Sequence, residues 1–185
     1  MPISTGNQEP NSNVLAPTPK LDIARWSGYA TVYLRFALGT AFLSAVADRC
    51  GIWGRPGAPH VAWGNFHNFL LYAAKLNPWF PGSWIPAIGW IATVCELVFG
   101  LALILGFRTR IVAFLSGLLT LAFALGMTFG LGIKAPLDYS VFTASAASFL
   151  LASMVAFAFP LSLDSLFFKR SYKQSVNGKP ERGAG

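Results

Sequence analysis

Apolar positions in this chain do not alternate with polar ones; they run on. Four stretches, 28–47, 84–105, 111–131 and 139–159, are each mainly apolar over about 20 residues, the length an α-helix needs to cross about 30 Å of hydrocarbon. The third and fourth hold no charged residue. In lipid, backbone polar groups must be satisfied within their own segment, so each run reads as a helix. The links are unequal. A tight turn, Gly106-Phe107-Arg108-Thr109-Arg110, joins the second and third runs. A short stretch with Gly132, Lys134, Pro136 and Asp138 joins the third and fourth. The first and second are separated by residues 48–83, which carry Trp53, Trp63 and Trp79 among several Pro and Gly. Within that segment, residues 63–76 place Phe66, Phe69, Leu70 and Ala73 at helical spacing. The pattern predicts a short amphipathic helix, lying on the membrane surface or folded over the bundle and ended by Pro78 and Pro81.

The predicted fold is therefore an all-α integral membrane protein. It is a four-transmembrane-helix bundle over residues 26–162, with a short amphipathic surface helix in its first outer loop. Residues 1–25 are rich in Pro, Asn, Ser and Thr and lack the apolar stretch of a signal peptide, which predicts a disordered cytoplasmic tail. Residues 163–185 form a basic cytoplasmic tail. No internal repeat relates the two hairpins.

Composition agrees with lipid as the solvent. Hydrophobic residues make up 54% of the 185 and charged residues 11%, against about 25% charged in an ordinary soluble domain. The net charge of +7 does not point to nucleic acid, because no groove-reading motif is present and the cations flank apolar runs. Their placement sets orientation instead. Lys20, Arg25, Arg108, Arg110, Lys169, Arg170, Lys173, Lys179 and Arg182 share one side; Arg49, Arg55, Lys75 and Lys134 share the other. Nine against four places both termini in the cytoplasm, with the Trp-rich segment outside. Trp26 and Tyr29 fit a cytoplasmic aromatic belt, and Trp79, Trp84 and Trp90 an outer one.

Two ionisable residues fall well inside the predicted spans, Arg35 and Glu96. Either one alone in lipid costs roughly 3 kcal/mol or more. Counted from the span ends, Arg35 lies roughly 10 Å and Glu96 roughly 13 Å from the cytoplasmic face. That predicts an ion pair, shared with Tyr33 or with Ser and Thr hydroxyls. Two readings stand. The pair is the base of a polar pocket for a ligand, a proton or a quinone head group, or it only fixes the register of two helices. Asp48, Arg49, His60 and His67 gather near the outer surface, and the His spacing is not a tight metal motif. With Trp63 and Tyr33, the residues Asp48, Arg49 and His67 make a candidate ligand-binding set. His67, between Asn65 and Asn68, is placed to hydrogen-bond a head group, and a solvated loop is the bland alternative. Cys50 and Cys95 are too far apart in sequence and too few for a redox dithiol or a zinc site. Sixteen Phe and six Trp suit lipid-facing and belt positions, or a flat cleft for a quinone ring. Small residues recur at Gly126 and Gly130, and at Ala144, Ser148, Ala152 and Ala156. Such stripes let helices pack closely, within the chain or in a homo-oligomer.

The stretch Glu96-Leu97-Val98-Phe99-Gly100, then Leu103, then Gly106-Phe107-Arg108-Thr109-Arg110, resembles the signature of the DoxX/DoxD family of four-helix bacterial membrane proteins. Arg35 with Gly39 matches the family's first helix, and the likeness runs over about residues 33–159. One departure is that Ala45-Val46-Ala47-Asp48-Arg49 stands where many members carry Gly-x-x-Lys. The family includes the membrane subunit of a thiosulfate:quinone oxidoreductase and proteins tied to thiol homeostasis. The resemblance thus implies a membrane subunit or anchor of a quinone- or thiol/sulfur-linked redox system, with Arg35 and Glu96 as the polar, catalytic positions. A soluble or membrane oxidoreductase would be its partner. No flavin, haem or iron–sulfur motif is present, so electrons would come from that partner or from a bound substrate. The rival classes are a small-solute transporter lined by Arg35 and Glu96, and a structural partner with no catalysis of its own.

Overall fold

The computed structural model describes residues 20–154 and 162–164. The described residues are helical, in the order α1 (Lys20–Arg49), α2 (Phe66–Leu76), α3 (Ile85–Leu105), α4 (Thr109–Leu131), α5 (Lys134–Asp138) and α6 (Val141–Ser153), with one 3-10 turn at Gly82–Trp84. Among the described residues three helices are long and apolar enough to cross a membrane: Trp26–Arg49, Gly82–Leu105 and Thr109–Leu131. The fourth predicted span appears as the shorter apolar helix α6, and residues 155–159 of that span lie outside the described residues. Of the predicted N-terminal tail, residues 20–25 are already helical and belong to α1. Residues 1–19 and the basic tail beyond 164 lie outside the described residues.

Several hydroxyls on these helices turn back onto their own backbone. Thr31 donates to the Gly28 carbonyl, Thr40 to Phe36, Thr120 to Ser116 and Thr128 to Ala124, all at 2.7–2.8 Å. Each polar group is thereby satisfied without water or a neighbouring helix.

Two antiparallel pairs make the bundle, α1 with α3 and α4 with α6. The apolar core lies between them, formed by Leu38 and Phe42 of α1, Leu103 of α3, Val112 and Ala113 of α4, and Leu151 and Ala152 of α6. This core fills the half of the bundle nearer the α3–α4 turn, here called the turn end. The opposite half, where residues 50–84 fold, is the loop end.

Backbones touch where α1 crosses α3. A Cβ built on Gly39 meets the Gly100 carbonyl at 2.8 Å and the Ile104 side chain at 2.7 Å. This contact aligns Gly39 with Gly100 and fixes the register of the pair. Gly39→Val should force the helices apart and cost about 1–3 kcal/mol. Thermal unfolding in detergent measures it, and a melting temperature equal to wild type would rule out this close crossing.

The small-residue steps are used inside the chain. The Gly126–Gly130 step receives the end of α2: a Cβ on Gly130 would strike the Lys75 carbonyl and the Leu76 Cα, and one on Gly126 would touch Leu76. Ser148 and Ala152 of α6 are buried, Phe149 packs on Gly117, and the Ser145 hydroxyl donates to the Gly117 carbonyl at 2.9 Å. Ala156 lies outside the described residues. These described faces are covered by the chain itself, so they no longer argue for a homo-oligomer.

α2 forms as its pattern predicts. Asn65 caps it by accepting the Asn68 N–H at 2.7 Å, and Asn77 ends it just before Pro78. Its buried face is Phe69, Ala73 and Leu76. α2 is folded over the loop end against α3 and α4 rather than lying free on a surface.

Candidate functional site at the loop end

α1 reaches the loop end with Asp48 and Arg49 in its last turn, both buried. A cation there is favoured by the partial negative charge of the helix C-terminus. Arg49 points across to α3. Its Nη1 donates to the Thr93 hydroxyl at 2.7 Å and lies 2.5 Å from Glu96 Oε2, while Nη2 donates to Glu96 Oε1 at 2.9 Å. Both side chains are 3% exposed. The two-pronged contact is the strong geometry for an arginine and a carboxylate. Thr93 is itself anchored by donating to the Gly89 carbonyl at 2.8 Å.

Aromatic rings roof the pair. The guanidinium carbon of Arg49 lies 3.7 Å from the ring centroid of Phe69 and 5.2 Å from that of Trp63. Trp63 meets Phe69 edge to face at 5.3 Å. These rings exclude water and add cation–π attraction, which is strongest where the cation is desolvated. Arg49 Nε has no hydrogen-bond partner among the described residues. Tyr72 of α2 packs beside Trp63, and burial, then the charge of Tyr139, raises its phenol above the ordinary tyrosine range. It therefore stays neutral.

Asp48 holds the loop. Its Oδ2 accepts the backbone N–H of Trp63 at 2.8 Å, and Trp53 donates from its indole nitrogen to the Ser44 carbonyl at 3.1 Å. Gly64 allows the return of the chain: its φ is +67°, and a Cβ would lie 2.5 Å from the Pro56 nitrogen. The loop leaves an open cleft of about 470 Å³ along α1, bordered by Ser44, Asp48, Trp53, His60 and Trp63.

The predicted Arg35–Glu96 pair is not what forms. Glu96 is held by Arg49, while Arg35 is fully buried at the turn end. There it donates from Nε to the Leu103 carbonyl at 2.9 Å and from Nη2 to the Ile104 carbonyl at 3.1 Å. Two things separate them. Register places Glu96 opposite Leu43, about two turns or roughly 12 Å along α1 from Arg35. Helical side chains also lean toward their own N-terminus, and the two helices run in opposite directions. Arg35 therefore leans to the turn end and Glu96 to the loop end.

The other candidates divide. Asp48, Arg49 and Trp63 join Glu96 in one cluster. Tyr33, on the exposed face of α1 and 76% exposed, takes no part in it, and neither does the exposed His67. His60 borders the cleft instead. Thr93 was not legible as a site residue, although its position one turn before Glu96 puts both on one face of α3. Among the described residues no group of three or more His, Cys, Asp or Glu is gathered to hold a metal.

A further element escaped the sequence at the turn end. The Asp164 carboxylate accepts the backbone N–H groups of Arg108 and Thr109 at 2.7 and 2.8 Å, and its own N–H donates to the Gly106 carbonyl at 3.1 Å. It caps α4 from 55 residues away, and no local pattern announces such a partner.

Comparison with protein-family models, with curated proteins and with solved structures gave no match to this chain.

Proposed function

We propose that the chain is a multi-pass membrane subunit or anchor of a quinone- or thiol/sulfur-linked redox system, as its resemblance to the DoxX/DoxD family implies. We place its working site at the loop end. The observation that carries this reading is the Arg49–Glu96 pair, buried under Phe69 and Trp63, with the Nε nitrogen of the guanidinium left without a hydrogen-bond partner among the described residues. A group with a carbonyl acceptor fits that donor, and a quinone head group is such a group. A bound quinone would supply the two-electron chemistry. The chain's part is to offer Arg49 Nε as a hydrogen-bond donor and to hold Glu96 beside it. Thr93 fixes the guanidinium, and the aromatic roof excludes water. Electrons reach the site from a partner oxidoreductase.

The distribution of Lys and Arg supports both termini in the cytoplasm, with the loop end outside, and the family resemblance implies that the membrane is the inner (cytoplasmic) membrane of a bacterium. The belt residues agree. Trp79, Trp84 and Trp90 are exposed at the loop end, and Trp26 and Tyr29 toward the other end of α1. A solute path lined by Arg35 and Glu96 is the weaker reading, because the Gly39–Gly100 contact closes α1 on α3 between them.

Arg49→Lys tests the proposal. Lysine keeps the charge opposite Glu96 and removes Nε. Wild-type protein purified in mild detergent should retain quinone in its lipid extract, and the variant should bind added quinone at least tenfold more weakly while still folding. Failure of the wild type to bind any quinone, or equal binding by the variant, counts against the proposal. Solute flux into liposomes by a quinone-free protein would favour transport instead.

A further inference from the structure

We propose that the open cleft beside Asp48 binds a small organic ammonium group. This goes beyond the redox reading and does not depend on it. The cleft follows the α1 face that carries Ala41, Ser44, Ala45 and Asp48, whereas Arg49 points to α3.

The charges of the cluster do not balance. Asp48 and Glu96 contribute two buried negative charges, and Arg49 contributes one positive charge that is already bound in both prongs to Glu96. One carboxylate charge is left over. Asp48 is 5% exposed, and while its Oδ2 holds the Trp63 N–H, its Oδ1 is buried with no hydrogen-bond partner among the described residues. A buried carboxylate is costly unless it is paired and hydrogen-bonded. A carboxylate only accepts, so its partner brings N–H or O–H groups; a water supplies those, and a cation also balances the charge.

The walls decide what kind of cation fits. Trp53 and Trp63 border the cleft, and indoles are the best aromatic partners for an ammonium. The Trp53 ring is pinned by its bond to the Ser44 carbonyl. His60, also on the wall, holds a left-handed backbone with φ +66°, unusual for a residue with a side chain. A calcium or magnesium ion would want six or more oxygen ligands, which this wall does not offer, and among the described residues no three His, Cys, Asp or Glu are gathered for a metal such as zinc. A cleft of about 470 Å³ is of the size that takes small molecules. It lies at the end of the bundle that carries Trp79, Trp84 and Trp90, where lipid head groups and dissolved amines both arrive. An ethanolammonium group serves either source.

The test uses the full chain in nanodiscs of phosphatidylglycerol, with radiolabelled ethanolammonium as the probe. Saturable binding is expected, displaced by unlabelled ethanolammonium but not by sodium chloride or ethanol, and weakened at least tenfold in Asp48→Asn. If the source is a phospholipid, wild-type protein passed through mixed phosphatidylethanolamine and phosphatidylglycerol will instead retain phosphatidylethanolamine after delipidation, and Asp48→Asn will lose it. Asparagine keeps an acceptor for the Trp63 N–H, and circular dichroism checks its fold. If that variant does not fold, Trp53→Ala, at an exposed ring, carries the comparison with at least fivefold weaker binding. The proposal is overturned by no saturable binding and no retained phosphatidylethanolamine, by equal displacement with sodium, or by undiminished binding in the folded variants.

Discussion

Arg49→Ala should destabilise the folded protein by roughly 3–5 kcal/mol, the cost of stranding one member of a buried ion pair. Glu96, 3% exposed, would be left in the interior without its bidentate partner. Thr93 would lose the donor that binds it at 2.7 Å, and Phe69 the cation lying over its ring. A large fall in the thermal midpoint in detergent is the expected reading. The double variant Arg49→Met with Glu96→Leu separates charge from packing. It removes both ions and keeps similar volume, so it should recover most of the loss, as buried pairs replaced by apolar side chains often do. If Arg49→Ala melts like wild type, the pair does not hold α1 to α3. If the double variant is as unstable as the single, the stability comes from the shape of the arginine rather than from its charge.

Arg35→Ala is the second large effect, and its cause differs. Among the described residues Arg35 is the largest fully buried side chain, and it closes the C-terminus of α3 by donating to the Leu103 and Ile104 carbonyls. The last carbonyls of a helix have no partner within it and need one from elsewhere. Leu103 keeps a weaker bond from the Gly106 N–H at 3.2 Å; Ile104 loses its arginine donor. With a cavity added, the loss should be about 2–4 kcal/mol. The turn itself tolerates little change. Gly106 has φ +68°, and a Cβ there would run into the Arg35 guanidinium and Ser162. Arg35→Lys keeps a charge but not the planar fork, and should recover less than half of the stability. Quinone affinity per folded molecule should be unchanged in Arg35→Ala. An affinity loss matching that of Arg49→Lys would return Arg35 to the functional site.

These two arginines show how far local pattern reaches. That Arg35 and Glu96 must each find a partner followed from a charge in an apolar run, and both did. Which partner each found did not follow. Depth counted from the predicted span ends assumed that α1 and α3 begin and end at the same levels, but α1 starts eight residues before its predicted span, at Lys20, and Arg35 lies level with the end of α3. The same miscount hid Arg49. Placed at a helix end, it reads as a loop cation near the surface, yet it leans inward under the folded loop.

Length and hydropathy alone determined the helices. Three apolar runs reappear as helices long enough to cross a bilayer, a fourth as the shorter α6, and the amphipathic spacing of Phe66, Phe69 and Ala73 reappears as α2. These are properties of neighbouring residues, fixed by backbone hydrogen bonding within each segment. Only the tertiary structure decided that Glu96 answers Arg49, that Arg35 and Asp164 serve the α3–α4 turn, and that Gly126 and Gly130 receive α2 rather than another membrane helix. Those contacts depend on register and on the direction each side chain leaves its helix. Both are set where two distant segments meet, and no window of sequence contains both sides of that meeting.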